Sequence, residues 1–139
     1  MKIVIDTSVW ISALISKESN SREIVRLALQ GKLAPQMGES LFHEYESVMK
    51  RSKIQKSCPL NKDEQVELFN AYLAVSRWNE VYYLWRPNLK DENDNFVIEL
   101  AVASGAEVVI TYNLKDFEIS ELSFGCKIVT PEEFIKEIL

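Results

Sequence analysis

Short apolar runs alternate with amphipathic stretches along this chain. Residues 2–5 and 108–111 are rich in β-branched side chains and are each followed by polar residues, which predicts buried strands. Pro35 is expected to end a further short strand because proline cannot donate to a sheet. Continuous apolar strands are typical of a parallel sheet that is covered on both faces. The predicted strands cover residues 2–5, 33–35, 80–84, 108–111 and 128–129.

Helical periodicity fills the segments between these strands. Asp6-Thr7-Ser8 precedes the first helical pattern and consists of residues that cap helices. Gly31 and Gly105 are expected to end helices, and Pro131 suits the first turn of a last helix. Residues 55–61, which include Pro59, are predicted to form a loop. The predicted helices start near Asp6, Ser19, Gly38, Lys62, Asp91 and Pro131, and the fourth is expected to run to Arg77.

Strands that alternate with helices predict an α/β fold, in which a parallel β-sheet has helices on both faces. The chain has 139 residues, which suits a single domain covering residues 1–139. Its 47% hydrophobic and 27% charged residues are typical of a globular protein rather than a disordered one.

The formal net charge of −5 argues weakly against a surface that attracts nucleic acid everywhere. A nuclease is still compatible with this charge, because metal-binding acids would account for much of the excess. Cys58 and Cys126 form no CxxC pair and are expected to be reduced thiols, with Cys126 in the core and Cys58 in a loop. No signal peptide is visible, and no apolar stretch approaches the roughly 20 residues that span a bilayer. We therefore expect a cytoplasmic protein with no membrane contact.

Acidic side chains stand where apolar strands end or helices begin. Asp6 comes directly after the first strand, and Asp116 comes shortly after the strand at 108–111. The carboxyl ends of parallel strands carry functional groups, so these acids are expected to meet at one edge of the sheet. Two carboxylates about 5 Å apart repel by roughly 3 kcal/mol at an effective dielectric of 20. A hard divalent cation such as Mg²⁺ would neutralise such a group. The acids concerned are Asp6, Glu44, Asp91, Asp94 and Asp116.

Each acid also has a simpler explanation. Glu44 shares one side of a helix with the apolar residues Leu41, Tyr45 and Val48, and a carboxylate there needs a partner or an edge position that reaches water. Asp91 and Asp94 fall in the first turn of a helix, where acids favour the helix dipole. Only the whole set of acids is specific.

Three polar residues follow the strand at 108–111 in the pattern Thr111-x-Asn113-x-x-Asp116. Thr111 and Asn113 suit turn hydrogen bonds, and Asp116 suits the cap of a short helical turn. The pattern therefore points to a site only in combination with the other acids.

Taken in order, these motifs resemble the PIN-domain family, and in particular the VapC-like toxins of toxin–antitoxin pairs. The resemblance covers essentially all 139 residues. No single motif is specific, whereas the order and spacing of all four are fairly specific. They are Asp6-Thr7-Ser8 at the start, Glu44 within a helix, Asp91 and Asp94 before an Ala-rich helix, and Thr111-x-Asn113-x-x-Asp116-Phe117 after a strand.

The resemblance implies a PIN-like fold and a ribonuclease site that uses Mg²⁺ or Mn²⁺ to activate water against a phosphodiester, with no other cofactor. It places the catalytic acids at Asp6, Glu44, Asp94 and Asp116, with Asp91 as an extra metal ligand. Thr7, Ser8, Thr111 and Asn113 would hold water or phosphate. Many relatives have aspartate where this chain has Asn113, so the site carries less negative charge here.

RNA is the expected substrate, and basic or aromatic side chains would contact its phosphates and bases. Trp10 is expected to be core, whereas Trp85 is the best candidate for stacking or for a partner surface. The chemistry requires no histidine, and His43 is expected at the surface because its helical phase turns it away from the apolar stripe. Candidates for phosphate contact are Arg22, Arg26, Lys50, Arg51 and Lys53, and Trp78 is a further stacking candidate.

The resemblance also implies a homodimer and a neutralising antitoxin, whose arginine or lysine would pair with the acidic site. Two other functions remain open. The first is a PIN-fold binding domain without catalysis. The second is a phosphatase-like or receiver-like domain in which Asp6 accepts a phosphoryl group. That chemistry is disfavoured by the lack of a second aspartate two residues on and of a lysine plainly placed after a later strand.

Overall fold

Five parallel strands form the centre of the protein in the order β3-β2-β1-β4-β5. A computed structural model describes residues 1–81, 92–114 and 126–138, with side chains for all of these except 92–95. The α/β prediction, with a parallel sheet flanked by helices, is confirmed. The strands are β1 (Lys2–Ile5), β2 (Ala34–Met37), β3 (Arg77–Trp78), β4 (Val108–Ile110) and β5 (Lys127–Val129).

Helices connect and cover these strands. Within the described residues they are α1 (Thr7–Ile15), α2 (Asn20–Leu29), α3 (Glu39–Met49), α4 (Ser52–Ser57), α5 (Lys62–Val75), α6 (Glu92–Ser104) and α7 (Pro131–Glu133), which continues as a π-helical turn at Phe134–Ile138. None of the described helices combines the length and apolar character needed to span a lipid bilayer.

The strand order reverses direction between β1 and β4, since the chain winds from β1 to β2 and β3 on one side and to β4 and β5 on the other. Ile3 pairs with Val108 and Ile5 with Ile110, so the two strands end level with each other. Open α/β sheets carry their sites at such a switch point, beyond the carboxyl ends of the strands. Asp6 and Thr111 are the next residues after these two strands.

An aromatic cluster next to the end of β1 joins α1, α3 and α5. Trp10 stacks on Tyr45 with ring centroids 5.3 Å apart and lies 5.0 Å from Tyr72, and all three side chains are fully buried. Such aromatic pairs contribute about 0.5–1.5 kcal/mol beyond the burial of their area. The Tyr45 hydroxyl donates to the carbonyl of Ile5 at 2.5 Å. The cluster therefore fixes the backbone immediately before Asp6, and the prediction that Trp10 is core is confirmed.

Two strand predictions are corrected. Pro35 lies inside β2 rather than ending it. The amide of Ala34 donates to Met1 on the β1 side, so the nitrogen of Pro35 faces the β3 side, where pairing begins only at Gln36. Strand β3 covers Arg77–Trp78 rather than residues 80–84. Residues 80 and 81 are not in a strand, and residues 82–84 lie outside the described part of the chain.

The predicted loop at residues 55–61 is also corrected, because α4 occupies its first part. This helix shows little periodicity in the sequence because Ile54 is its only buried residue.

Cys58 ends α4, and its thiol donates to the carbonyl of Leu14 at 3.2 Å. Helix α5 ends at Val75, two residues before the predicted end, because Arg77 belongs to β3.

Helix α5 begins with a reciprocal cap. The side chain of Asn61 accepts from the amide of Glu64 at 2.8 Å, and the side chain of Glu64 accepts from the amide of Asn61 at 3.0 Å. We predict that Asn61→Ala lowers the free energy of unfolding by about 1 kcal/mol, measured by urea denaturation. Asn70→Ala, in an exposed position of the same helix, is the matched control and is expected to be neutral or slightly stabilising. Equal losses in both variants would contradict a role for the cap.

Candidate active site

Asp6 is the N-cap of α1 and lies at the carboxyl end of β1, with only 2% of its surface exposed. Three residues donate to its carboxylate. The amide of Thr7 donates to Oδ1 at 2.8 Å. The hydroxyls of Ser8 and Thr111 donate to Oδ2 at 2.9 Å and 2.7 Å. Residues from two neighbouring strand ends therefore fix one buried carboxylate.

The donors to this carboxylate are hydroxyls and backbone amides, and none of them is charged. Two hydroxyls donate to Oδ2 and the amide of Thr7 donates to Oδ1, and the backbone of Ser8 also forms a hydrogen bond to the group. None of these described hydrogen bonds brings a positive charge to Asp6. A hard divalent cation takes carboxylate oxygens as ligands and would supply that charge.

Burial sets the acidity of Asp6. Desolvation raises the pKa of its carboxyl above the ordinary value, while the hydrogen bonds from Thr111, Ser8 and Thr7 act in the opposite direction. Ionisation therefore costs free energy in the metal-free protein, in spite of the three donors. A bound cation would offset this cost, so the residues present fit the group that the sequence implied.

Glu44 lies on the same edge of the sheet and is connected to Asp6 through Thr7. The hydroxyl of Thr7 donates to Oε1 of Glu44, while the amide of Thr7 donates to Asp6. Glu44 is half-buried, and its helix neighbours Leu41 and Tyr45 are buried, as the helical phase predicted. The structure thus brings two of the predicted acids to one residue.

His43 and Glu46, the neighbours of Glu44 in sequence, face away from this edge. The side chain of His43 is 64% exposed and lies 3.7 Å from Glu39 and 3.6 Å from Glu46. The prediction that His43 is a surface residue is confirmed.

Three predicted hydroxyls orient carboxylates. Each hydroxyl has a single hydrogen, and Thr7, Ser8 and Thr111 all donate theirs to an acid. The oxygens of Ser8 and Thr111 in turn accept from the amides of Tyr112 at 3.2 Å and Asn113 at 2.9 Å. A hydroxyl engaged in this way cannot also donate to a phosphate. The predicted phosphate contact therefore depends on Asn113, which is exposed.

The side chains of the remaining predicted metal ligands are not among those that the structure describes. Asp94 is in the first turn of α6, which packs against β1, β2 and β4, but its side chain is not described. Asp91, Asp116 and Trp85 lie outside the described residues. Among the residues that are described, no three acidic, histidine or cysteine side chains come together to hold a metal ion.

Comparison with known proteins places this geometry in a family. The PIN-domain family model matches residues 2–115. This chain belongs to the PIN-domain family. The uncharacterized protein MJ1680 of Methanocaldococcus jannaschii is 29% identical over an alignment of 151 residues. The alignment covers 99% of this chain and 91% of the relative.

A solved structure shows the same fold at low identity. It is the crystal structure of VapBC2 from Rickettsia felis, bound to a DNA fragment from the VapBC2 promoter. The match has a TM-score of 0.61 and 14% identity, and it covers 94% of this chain and 98% of the other. The predicted PIN domain is therefore confirmed, and the likeness to the VapC-like branch is confirmed at the level of the fold.

The basic and aromatic candidates of this PIN domain divide into structural and exposed groups. Arg22 donates to the backbone of α1, from Nε to the carbonyl of Ala13 at 2.6 Å and from Nη2 to that of Leu14 at 3.5 Å, and its contact with phosphate stays a prediction. Partial burial also lowers the pKa of Arg22. Arg26 pairs with Glu23 at 3.2 Å. Trp78 is 52% exposed, and Lys50, Arg51 and Lys53 are exposed as well.

Sequence patterns missed two contributors to this edge. The hydroxyl of Tyr45 donates to the backbone carbonyl before Asp6, and the amide of Tyr112 donates to the hydroxyl of Ser8. Tyr45 was interpreted only as part of an apolar stripe.

A buried acid elsewhere, Glu99 on α6, was also missed and is 5% exposed. It lines a cavity of about 330 Å³ beside the first turn of α3. The one indication of this buried position in the sequence was an acid within the apolar pattern of α6.

The raised pKa of Asp6 predicts a pH dependence of stability in metal-free protein. The folded state holds the Asp6 proton more tightly than the unfolded chain does, so unfolding releases a proton between pH 3.8 and the raised folded pKa. The free energy of unfolding of the wild type should therefore fall relative to that of Asp6→Asn as the pH rises through this window, and the difference should be constant above it. Urea denaturation in EDTA at a series of pH values measures the free energy of unfolding of the wild type and of Asp6→Asn.

Asp63→Asn, an exposed aspartate in the first turn of α5, is the control for the loss of one carboxylate. A wild type that gains stability relative to Asp6→Asn as the pH rises would show that the hydrogen bonds outweigh desolvation.

Proposed function

We propose that this PIN domain is a metal-dependent endoribonuclease that hydrolyses RNA phosphodiester bonds with Mg²⁺ or Mn²⁺. The observation that supports this most is the geometry of Asp6. A carboxylate that is 2% exposed lies at the switch point of the sheet, held by uncharged donors of Thr7, Ser8 and Thr111. A structural cap needs only the bond to the amide of Thr7, whereas a buried carboxylate with uncharged donors is stabilised further by a bound cation.

The acids take different roles in this proposal. Asp6 and Asp94 would bind the cation directly, Glu44 and Asp116 would hold a second ion or its waters, and Asp91 would add a further ligand. The geometry of Asp6 and Glu44 supports their part, whereas the roles of the other three acids rest on their positions in the sequence motifs.

When bound, the cation makes water a better nucleophile and stabilises charge on the leaving oxygen of the phosphate. The chain orients the groups that hold it. Ser8 and Thr111 donate to Oδ2 of Asp6 and fix the orientation of the carboxylate that would hold the cation. Thr7 holds Glu44 at the same edge. Asn113, which is exposed on the loop after β4, is the candidate for contact with a phosphate oxygen.

A toxin of this type needs a neutralising partner, and we propose an antitoxin that inserts an arginine or lysine into the acidic site. A guanidinium pairs well with carboxylates and would compete with the cation. The likeness of the fold to VapBC2 supports this partner. Homodimerisation, a cytoplasmic location and a single domain covering residues 1–139 remain predictions.

Cleavage of a panel of RNAs by metal-stripped protein, with and without added Mg²⁺ or Mn²⁺, tests the proposal. We predict that Asp6→Asn lowers kcat at least about 100-fold, because loss of a metal ligand removes several kcal/mol of transition-state stabilisation. Glu44→Gln is expected to lower kcat about 10-fold to 100-fold. Glu46→Gln, two residues along α3 and in contact with His43, is the matched control and should remain within about twofold of the wild type.

Three outcomes separate the alternatives. Metal binding without cleavage of any RNA would favour a PIN-fold binding domain. An acyl phosphate trapped on Asp6 would favour a phosphoryl-transfer domain. A loss of activity in Glu46→Gln equal to that in Glu44→Gln would contradict the assignment of the site to this edge.

A further inference from the structure

Tyr112 joins the loop after β4 to two helices and to the C-terminal segment. Its hydroxyl lies 2.9 Å from Oγ of Ser21, a fully buried residue of α2. Longer contacts reach Oγ of Ser12 in α1 at 3.5 Å and Oε1 of Glu132 in α7 at 3.4 Å. The side chain is 39% exposed, so the hydroxyl is fixed mainly by the short bond to Ser21.

The backbone of the same residue points to the candidate site. The amide of Tyr112 donates to Oγ of Ser8, and Ser8 donates to Oδ2 of Asp6. On the two sides of Tyr112, Thr111 donates to Asp6 and Asn113 donates to Thr111. The loop therefore supplies or supports both hydroxyls that occupy Oδ2.

We propose that Tyr112 is a positioning residue, whose bond to Ser21 holds the loop at 111–113 so that Ser8 and Thr111 keep the carboxylate of Asp6 oriented for a divalent cation. This inference rests on the proposed function for the role of the cation. It gives a role to the residue at the first variable position of the motif Thr111-x-Asn113-x-x-Asp116.

The sheet alone does not fix this loop. The last sheet bond on this side joins the amide of Thr111 to the carbonyl of Val129 at 2.9 Å. Beyond it, the bonds described for residues 112 and 113 are those to the site hydroxyls and those of the Tyr112 side chain. The bond to Ser21 attaches the loop to a buried point of α2, which the site hydroxyls themselves do not provide.

Amide hydrogen exchange of the metal-free protein tests this directly, because the amides of residues 112 and 113 are the donors to the two site hydroxyls. We predict that Tyr112→Phe, which keeps the ring and the backbone amide, makes both amides exchange about tenfold faster. The amide of Thr111, held by the sheet, should exchange at the wild-type rate and serves as the internal control. Ser21→Ala should have the same effect, and the double variant should exceed neither single variant.

Ile54→Val, in the buried face of α4 and away from the loop, is the control for a general loss of stability. It should leave the amides of residues 112 and 113 unchanged. Wild-type exchange in Tyr112→Phe, or additive effects of Tyr112→Phe and Ser21→Ala, would overturn the proposal.

Mn²⁺ binding and RNA cleavage then test the link to Asp6. We predict that Tyr112→Phe weakens Mn²⁺ about threefold to tenfold and lowers kcat by a similar factor, with KM for RNA within about twofold of the wild type. Faster loop exchange with wild-type Mn²⁺ affinity would overturn the positioning role. A wild type that binds Mn²⁺ but cleaves no RNA would refute the nuclease proposal alone. A wild type that binds no Mn²⁺ would overturn both.

Discussion

The burial of one carboxylate, Asp6, is the constraint on which this edge of the protein depends. Desolvation disfavours the charged form, and three donors from two strand ends only partly compensate for it. The parallel pairing of β1 with β4 places Thr111 at Oδ2, and the first turn of α1 places Thr7 and Ser8 around the same group. The switch point of the sheet is therefore also the place where electrostatic cost is concentrated.

The neighbouring elements are organised around that carboxylate. Tyr45 holds the carbonyl of Ile5 just before it, and Thr7 connects it to Glu44 on α3. The described donors to the carboxylate are all uncharged. A cap on the helix needs only the amide of Thr7, whereas a buried carboxylate with uncharged donors suits a cation.

The sequence predicted the parts of the fold that follow from local pattern. The β-branched runs gave β1 and β4, and the helical phase of Glu44 was correct because Leu41 and Tyr45 define a continuous stripe. Local pattern failed at α4, whose only buried residue is Ile54, and at β3, which is two residues long. Neither element has enough residues to show a period.

For the candidate site, the sequence motifs predict a set of acids but not the geometry that holds them. The direction in which Thr7, Ser8 and Thr111 donate depends on side chains that meet only in the folded protein. The contact of Tyr112 with Ser21 joins residues 91 positions apart, which no local pattern records. The VapBC2 match at 14% identity likewise concerns the fold alone, so the function depends on these side chains.

The most direct measurement of the central claim is the anomalous scattering of Mn²⁺ in crystals of the wild-type protein. We predict a Mn²⁺ peak about 2.1 Å from a carboxylate oxygen of Asp6, at the carboxyl ends of β1 and β4. The absence of a peak at this edge of the sheet at saturating Mn²⁺ would contradict it.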